Sequence, residues 1–107
     1  MTTQVAGFDW DEGNQEKCRK HGVPMVVIEE VLSGPLAVHP DPVHSAAEER
    51  LKAIGLTKDG RGVLVVFTLR QRGQDTLIRP ISARYMHDKE LAWYEKATAP
   101  SRERPGR

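Results

Sequence analysis

The 107-residue chain has a single cysteine, two residues each of Phe, Trp and Tyr, and no long apolar run. The lone Cys18 excludes an internal disulfide and a four-cysteine zinc site, and it points to a reducing, cytoplasmic compartment. No apolar stretch approaches the roughly 18 residues that a membrane-spanning helix needs. Met1 to Gly7 hold neither a basic cluster nor an apolar core, so no signal peptide is expected. The apolar share of 38% is low and the charged share of 29% slightly high, as in a small domain with much surface. A chain this short buries roughly 60–70% of its unfolded surface in one thin core, with no room for a cofactor domain.

Charge, by contrast, is plentiful and unevenly placed. Residues 1–49 carry three Lys/Arg (Lys17, Arg19, Lys20) against nine Asp/Glu, and residues 50–107 carry thirteen against six. The halves are therefore −6 and +7 within a net +1. Either the acidic half neutralises the basic half inside the fold, or the molecule presents a basic face to nucleic acid.

Phe8-Asp9-Trp10-Asp11 reads as a short extended piece with both aromatics inward, as core rather than stacking platforms. Asp11 caps a helix from Glu12 to Lys20 or His21, and Gly22 lies past its end. A second helix begins after Pro24. Its β-branched start also suits a strand over Met25–Ile28, but Val27/Val31 and Ile28/Leu32 pair at helical spacing. Strands are expected at Leu36–His39, Arg50–Leu56, Gly62–Leu69 and Thr76–Ser82. A loop from Pro40 to Glu48, a hairpin turn at Lys58–Arg61 and a turn at Arg70–Gln74 separate them. A helix over His87–Lys96, capped by Ser82 or Asp88, closes the domain. The expectation is an α+β domain over 1–97, with two helices, a four-stranded antiparallel meander and one helix, and a disordered basic tail over 98–107.

Several motifs recur along this frame. Phe8-x-Trp10-Asp11 precedes Asn14-x-x-Lys17-x-x-Lys20-His21-Gly22-Val23. Pro35-Leu36, His44, Glu48-Glu49-Arg50 and Ile54-Gly55 follow. Gly60-Arg61, Ile78-Arg79-x-Ile81-Ser82-Ala83-Arg84, Glu90 and Tyr94-Glu95 complete the set. In this order and spacing, residues 8 to 95 resemble the BrnT family of type II toxins. The resemblance implies a RelE-like fold and a ribonuclease that needs no metal or other cofactor. It also implies a BrnA-like antitoxin with a ribbon-helix-helix DNA-binding dimer, which holds the toxin inactive and represses the shared operon. Operator DNA is then met only through the antitoxin. The chain departs from the family pattern in two places. Met25-Val26-Val27 replaces a polar helix start. Pro80 replaces a β-branched residue, so the fourth strand must lie at an edge or be bulged there, and the aim of Arg79 and Arg84 depends on which.

Metal-free cleavage through the RNA 2′-hydroxyl needs a base, an acid, and cations for the charge gathering on phosphorus. Arg50, Arg79 and Arg84 suit the phosphate, because a guanidinium forks onto its oxygens and stays charged. They equally suit surface pairs with Glu48, Glu49 or Asp75. His21 is the candidate that titrates near neutral pH, though a helix end also favours a histidine for its dipole. Lys17 and Lys20 make a cationic, RNA-binding edge with it. Glu49 is the alternative base, and Tyr94 could stack on a nucleobase, donate a proton or simply pack. His39, His44 and His87 have no metal spacing with Cys18. Two other functions stay open: a member that binds antitoxin or RNA without cutting, and a DNA-binding regulator, for which no helix-turn-helix pattern is present.

Overall fold

The computed structural model describes residues 5–34, 37–40, 48–92 and 95. His44, Tyr94 and the tail over 98–107 lie outside these residues. Strand β1 (Val5–Phe8) leads to helices α1 (Glu12–Arg19) and α2 (Met25–Leu32), then strands β2 (Ala37–Pro40), β3 (Leu51–Leu56), β4 (Gly62–Arg72) and β5 (Asp75–Tyr85). Residues 88–92 and 95 are helical. No helix among the described residues is long and apolar enough to cross a membrane.

The expected meander β2-β3-β4-β5 is present and antiparallel. It is extended by β1, which pairs parallel with β5 and makes a mixed five-stranded sheet in the order β1-β5-β4-β3-β2. The extended piece expected at Phe8 is thus the end of an edge strand. Helix α1 starts where Asp11 accepts from the Asn14 N–H and Asn14 Oδ1 accepts from the Asp11 N–H, a capping box. It ends before Gly22, whose φ of 79° only glycine adopts readily. The β4–β5 connection is tighter than the sequence pattern indicated. Arg72 pairs with Asp75, so the turn is Gly73-Gln74 alone, and the positive φ of Gly73 opens a two-residue hairpin. The closing helical segment is capped by His87, not by Ser82 or Asp88. Glu90 Oε1 accepts from the His87 N–H, and the Leu91 N–H donates to the His87 carbonyl.

Both N-terminal helices bury one stripe against one face of the sheet. Cys18, Val23, Ile28, Val31 and Leu32 meet Ala53, Val63, Val65, Phe67, Ile78 and Ala83 in a single core, with Phe8 and Trp10 packed on its margin. Both aromatics are therefore core, as expected. Trp10 also donates from its indole N–H to Glu29 at 2.8 Å, tying α2 to the end of β1. Strand alternation puts Leu64, Val66, Thr68 and Arg70 on the opposite, open face.

Pro80 shows how the fourth strand of the meander accommodates a missing N–H. Val66 pairs with Ser82 and Phe67 with Pro80, which leaves Ile81 unopposed as a β-bulge. Pro80 itself is fully buried. Its carbonyl accepts from Asn14 Nδ2 at 2.8 Å, and the same amide reaches the Asp9 carbonyl at 2.9 Å. The bulged alternative was the correct one.

Candidate nucleic-acid interface

The bulge decides where the arginines of β5 point. Residues 79 and 84 differ in parity, so a regular strand would send them to opposite faces. With Ile81 unopposed, Arg79 pairs with Thr68 and Arg84 with Leu64, both on the open face. Residues directly opposite in a ladder share a face, so both arginines stand on it. Their partners are four residues apart on β4, which separates the arginines by roughly 13 Å.

The same register adds neighbours that the sequence did not single out. Lys52 pairs with Val66, beside Ser82. Arg70 lies one open-face position beyond Thr68, diagonal to Arg79. Thr68 is 3% exposed because the chain entering β3 crosses it, and its hydroxyl donates to the Glu49 carbonyl at 2.7 Å. Glu49 and Arg50 are thereby brought to the Arg79 end of the open face. Glu49 is exposed, whereas Arg50 is half-buried and already engaged with a neighbour. At the other end, Gly62 leaves room for Met86 and Leu91, whose side chains lie 3.0 Å from where a Cβ would stand. Among the described residues, Met86 and Leu91 thus cover this face at Gly62.

Acidic groups of the first half occupy many of these cations. Asp9 takes Arg72 at 3.2 Å and Arg79 at 3.7 Å, and Asp11 takes Arg79 at 3.0 Å. Glu48 takes Arg70 at 3.1 Å, and Glu30 takes Lys58 at 3.3 Å. Within the second half, Glu90 grips Arg84 with two contacts of 2.8 Å. Acids of the first half thus hold Lys58, Arg70, Arg72 and Arg79 of the second. The partners of Arg79 and Arg84 are Asp9, Asp11 and Glu90, and not the Glu48, Glu49 or Asp75 that proximity in sequence suggested. The Arg84 guanidinium and the His87 N–H hold the Glu90 carboxyl down at about 2, and Glu90 in turn raises the Arg84 pKa. The Asn14 N–H lowers the Asp11 pKa, with help from Arg79. The Arg84–Glu90 pair is half-exposed and screened by solvent, so a phosphate can compete for that guanidinium.

His21, Lys17 and Lys20 are placed differently. All three are exposed on or just beyond the C-terminal half of α1. Helix α1 packs on the core face of the sheet, and Arg79 meets its N-terminal cap, about 12 Å along the axis from its other end. The structure brings Arg79 and Arg84 to one face, passes the Glu49 backbone beside Thr68 on it, and leaves the His21 group in the helical layer. A shallow depression along α1, lined by Glu12, Gly13, Gln15, Glu16 and Arg19, takes in none of the candidate residues. Cys18 is buried beneath this helix, which pushes its thiol up to about 11. Among the described residues, no three of His, Cys, Asp and Glu gather as metal ligands would.

Sequence reasoning missed Asp9, Lys52, Thr68, Arg70 and Arg72 at this face. The only signal available was the parity of β4 relative to Arg79, and that signal needs the bulge to be read correctly. No match to a curated protein was found. Residues 10–90, which include β5, its bulge and both of its arginines, match the family model of the ribonuclease toxin BrnT of type II toxin–antitoxin systems, and the chain belongs to that family.

Proposed function

We propose that this chain is a metal-independent endoribonuclease that binds RNA on the open face of its sheet. The observation that carries this reading is the Ile81 bulge, which turns Arg79 and Arg84 to one side of β5. Arg79, Arg84 and Arg50, joined by Lys52 and Arg70, bind the phosphates and stabilise the charge of the transition state. Glu49, exposed beside Thr68, takes the proton of the attacking 2′-hydroxyl. Tyr94 protonates the leaving oxygen or stacks on a base. His21, Lys17 and Lys20, across the sheet, serve as a secondary contact for the RNA strand rather than as the acid–base pair. In its resting form the toxin is neutralised in the cytoplasm by a BrnA-like ribbon-helix-helix antitoxin, whose acidic segment displaces Asp9, Asp11 and Glu90 from the arginines. Operator DNA is reached only through that antitoxin.

Titrating the protein with an uncleavable 2′-O-methyl RNA and following backbone amide shifts tests the placement. Shifts centred on Lys52, Thr68, Arg79 and Ser82 are expected. Shifts confined to α1 would contradict it and return His21 to the centre of the site. Expression in a bacterial host should arrest growth, and co-expression of a neighbouring ribbon-helix-helix gene should restore it.

A second reading has its own observation. Both β5 arginines are already gripped by carboxylates, Arg79 by two of them. A member that docks an antitoxin or RNA without cutting would keep them so, and would bind the 2′-O-methyl RNA without arresting growth.

A further inference from the structure

Asp9 has no role in the reading of the motifs, yet it is the most constrained acid on the open face. Its side chain is 10% exposed and meets guanidiniums from two strands, Arg72 of β4 and Arg79 of β5. Its backbone is pinned on both sides. The Asp9 N–H donates to the Ile78 carbonyl at 2.8 Å, and its carbonyl accepts from the buried Asn14 amide. The carboxylate therefore projects from a fixed point next to the bulge. A side chain rooted in this way can hold a partner in a single orientation.

The contacts to Arg79 are divided. Nη1 faces Asp9 and Nη2 faces Asp11, so two carboxylates of the segment between β1 and α1 take the two arms of the fork. A guanidinium carries more N–H donors than these contacts use. Arg79, 17% exposed, is thus oriented with donors to spare. Asp11 makes the closer contact, 3.0 Å against 3.7 Å, but at 55% exposed it is screened by solvent more than Asp9. Arg72, 63% exposed, spans both Asp9 oxygens from the solvent side and helps offset the buried negative charge.

We propose that Asp9 is a positioning residue for RNA cleavage, holding the Arg79 guanidinium in the orientation in which it meets the scissile phosphate. The proposal rests on the ribonuclease reading above. Asp9 acts through Arg79 and does not touch the RNA. Removing its charge frees Arg79 and Arg72 to bind phosphates in other poses, so affinity holds while turnover falls.

The test is steady-state cleavage by the parent, Asp9→Asn, Asp9→Glu, Arg79→Ala and the Asp9→Asn/Arg79→Ala double variant, with the melting temperature of each recorded. Asp9→Asn should lower kcat by roughly 10- to 100-fold with KM nearly unchanged, the cost of a misaimed group. Asp9→Glu, which keeps the charge one methylene farther out, should recover part of the loss. In the Arg79→Ala background the Asp9 change should cost nothing more, because the two residues act as one unit. A folded Asp9→Asn protein with parental kcat, or effects that simply add, would overturn the proposal. Should Asp9→Asn fail to fold, Asp9→Glu takes its place in the same cycle, and additivity there overturns the proposal equally. A parent that cleaves no RNA fails on the ribonuclease reading and takes this proposal with it, whereas a cleaving parent with an indifferent Asp9 refutes the proposal alone.

Discussion

Replacing Asn14 with alanine removes three side-chain hydrogen bonds from a residue that is 3% exposed. The Asp11 N–H belongs to an exposed cap and can turn to water. The Asp9 and Pro80 carbonyls lie where the Asn14 amide excludes solvent, and each buried acceptor left unpaired costs about 1–3 kcal/mol. Loss of half the capping box adds about 0.5–1 kcal/mol. The sum is about 2.5–7 kcal/mol, a large share of the roughly 5–15 kcal/mol that holds a small domain together. For a domain of this size it corresponds to a melting temperature lower by at least about 10 °C. Urea unfolding followed by far-ultraviolet circular dichroism measures the loss, with an unchanged m-value showing that the folded state is still native. Asn14→Asp should be worse than alanine at neutral pH, since it turns a carboxylate toward two carbonyl oxygens. A loss under about 1 kcal/mol for Asn14→Ala would refute the reasoning, because it would mean that water reaches both carbonyls.

Other outcomes follow from the same geometry. Because the folded Glu90 pKa is depressed to about 2 by Arg84, its pair contributes stability above the ordinary carboxylate pKa and loses it as pH falls toward 2. The melting temperatures of the parent and Glu90→Gln should therefore differ at pH 7 and converge by pH about 2; a gap that persists at low pH would contradict the assignment. Cys18, buried with its thiol at about 11, should resist alkylation at pH 8 until the protein is unfolded in urea, and rapid labelling of the native state would place it at the surface. Inserting an alanine between Val66 and Phe67 gives Ile81 an opposite residue, removes the bulge and forces Arg79 or Arg84 toward the core, at a cost of about 3–5 kcal/mol for an unpaired buried charge. An insertion variant with parental stability and RNA affinity would show that the bulge does not align the two arginines.

The parts of the fold visible in the sequence are those governed by local pattern. Asp11 and Gly22 bracket α1 through capping chemistry, and Val63 to Phe67 announce the central strand as an unbroken apolar run, buried on the core face and half-buried on the other. Strand β1 was legible only as an extended piece, since its partner lies some seventy positions away and Gly7 breaks its alternation. The β4–β5 hairpin runs longer than expected because Arg70, Gln71 and Arg72 are polar on both sides, and alternation cannot mark a strand that leaves the core. The site was legible through Arg79 and Arg84 as residue types. That they share a face was not, because parity along β5 argues the reverse and only the pairing around Pro80 corrects it. The carboxylates that hold Arg79, Asp9 and Asp11, come from a segment whose sequence pattern speaks of core and cap.

The most direct measurement of the central claim is cleavage of a mixed RNA substrate in excess EDTA by the purified chain, free of any partner, beside an Arg79→Ala/Arg84→Ala variant of matched fold. Cleavage by the parent and none by the variant is the predicted result. Cleavage that survives loss of both arginines would contradict the open-face site, and a folded parent that leaves the RNA intact would contradict the metal-independent ribonuclease reading itself.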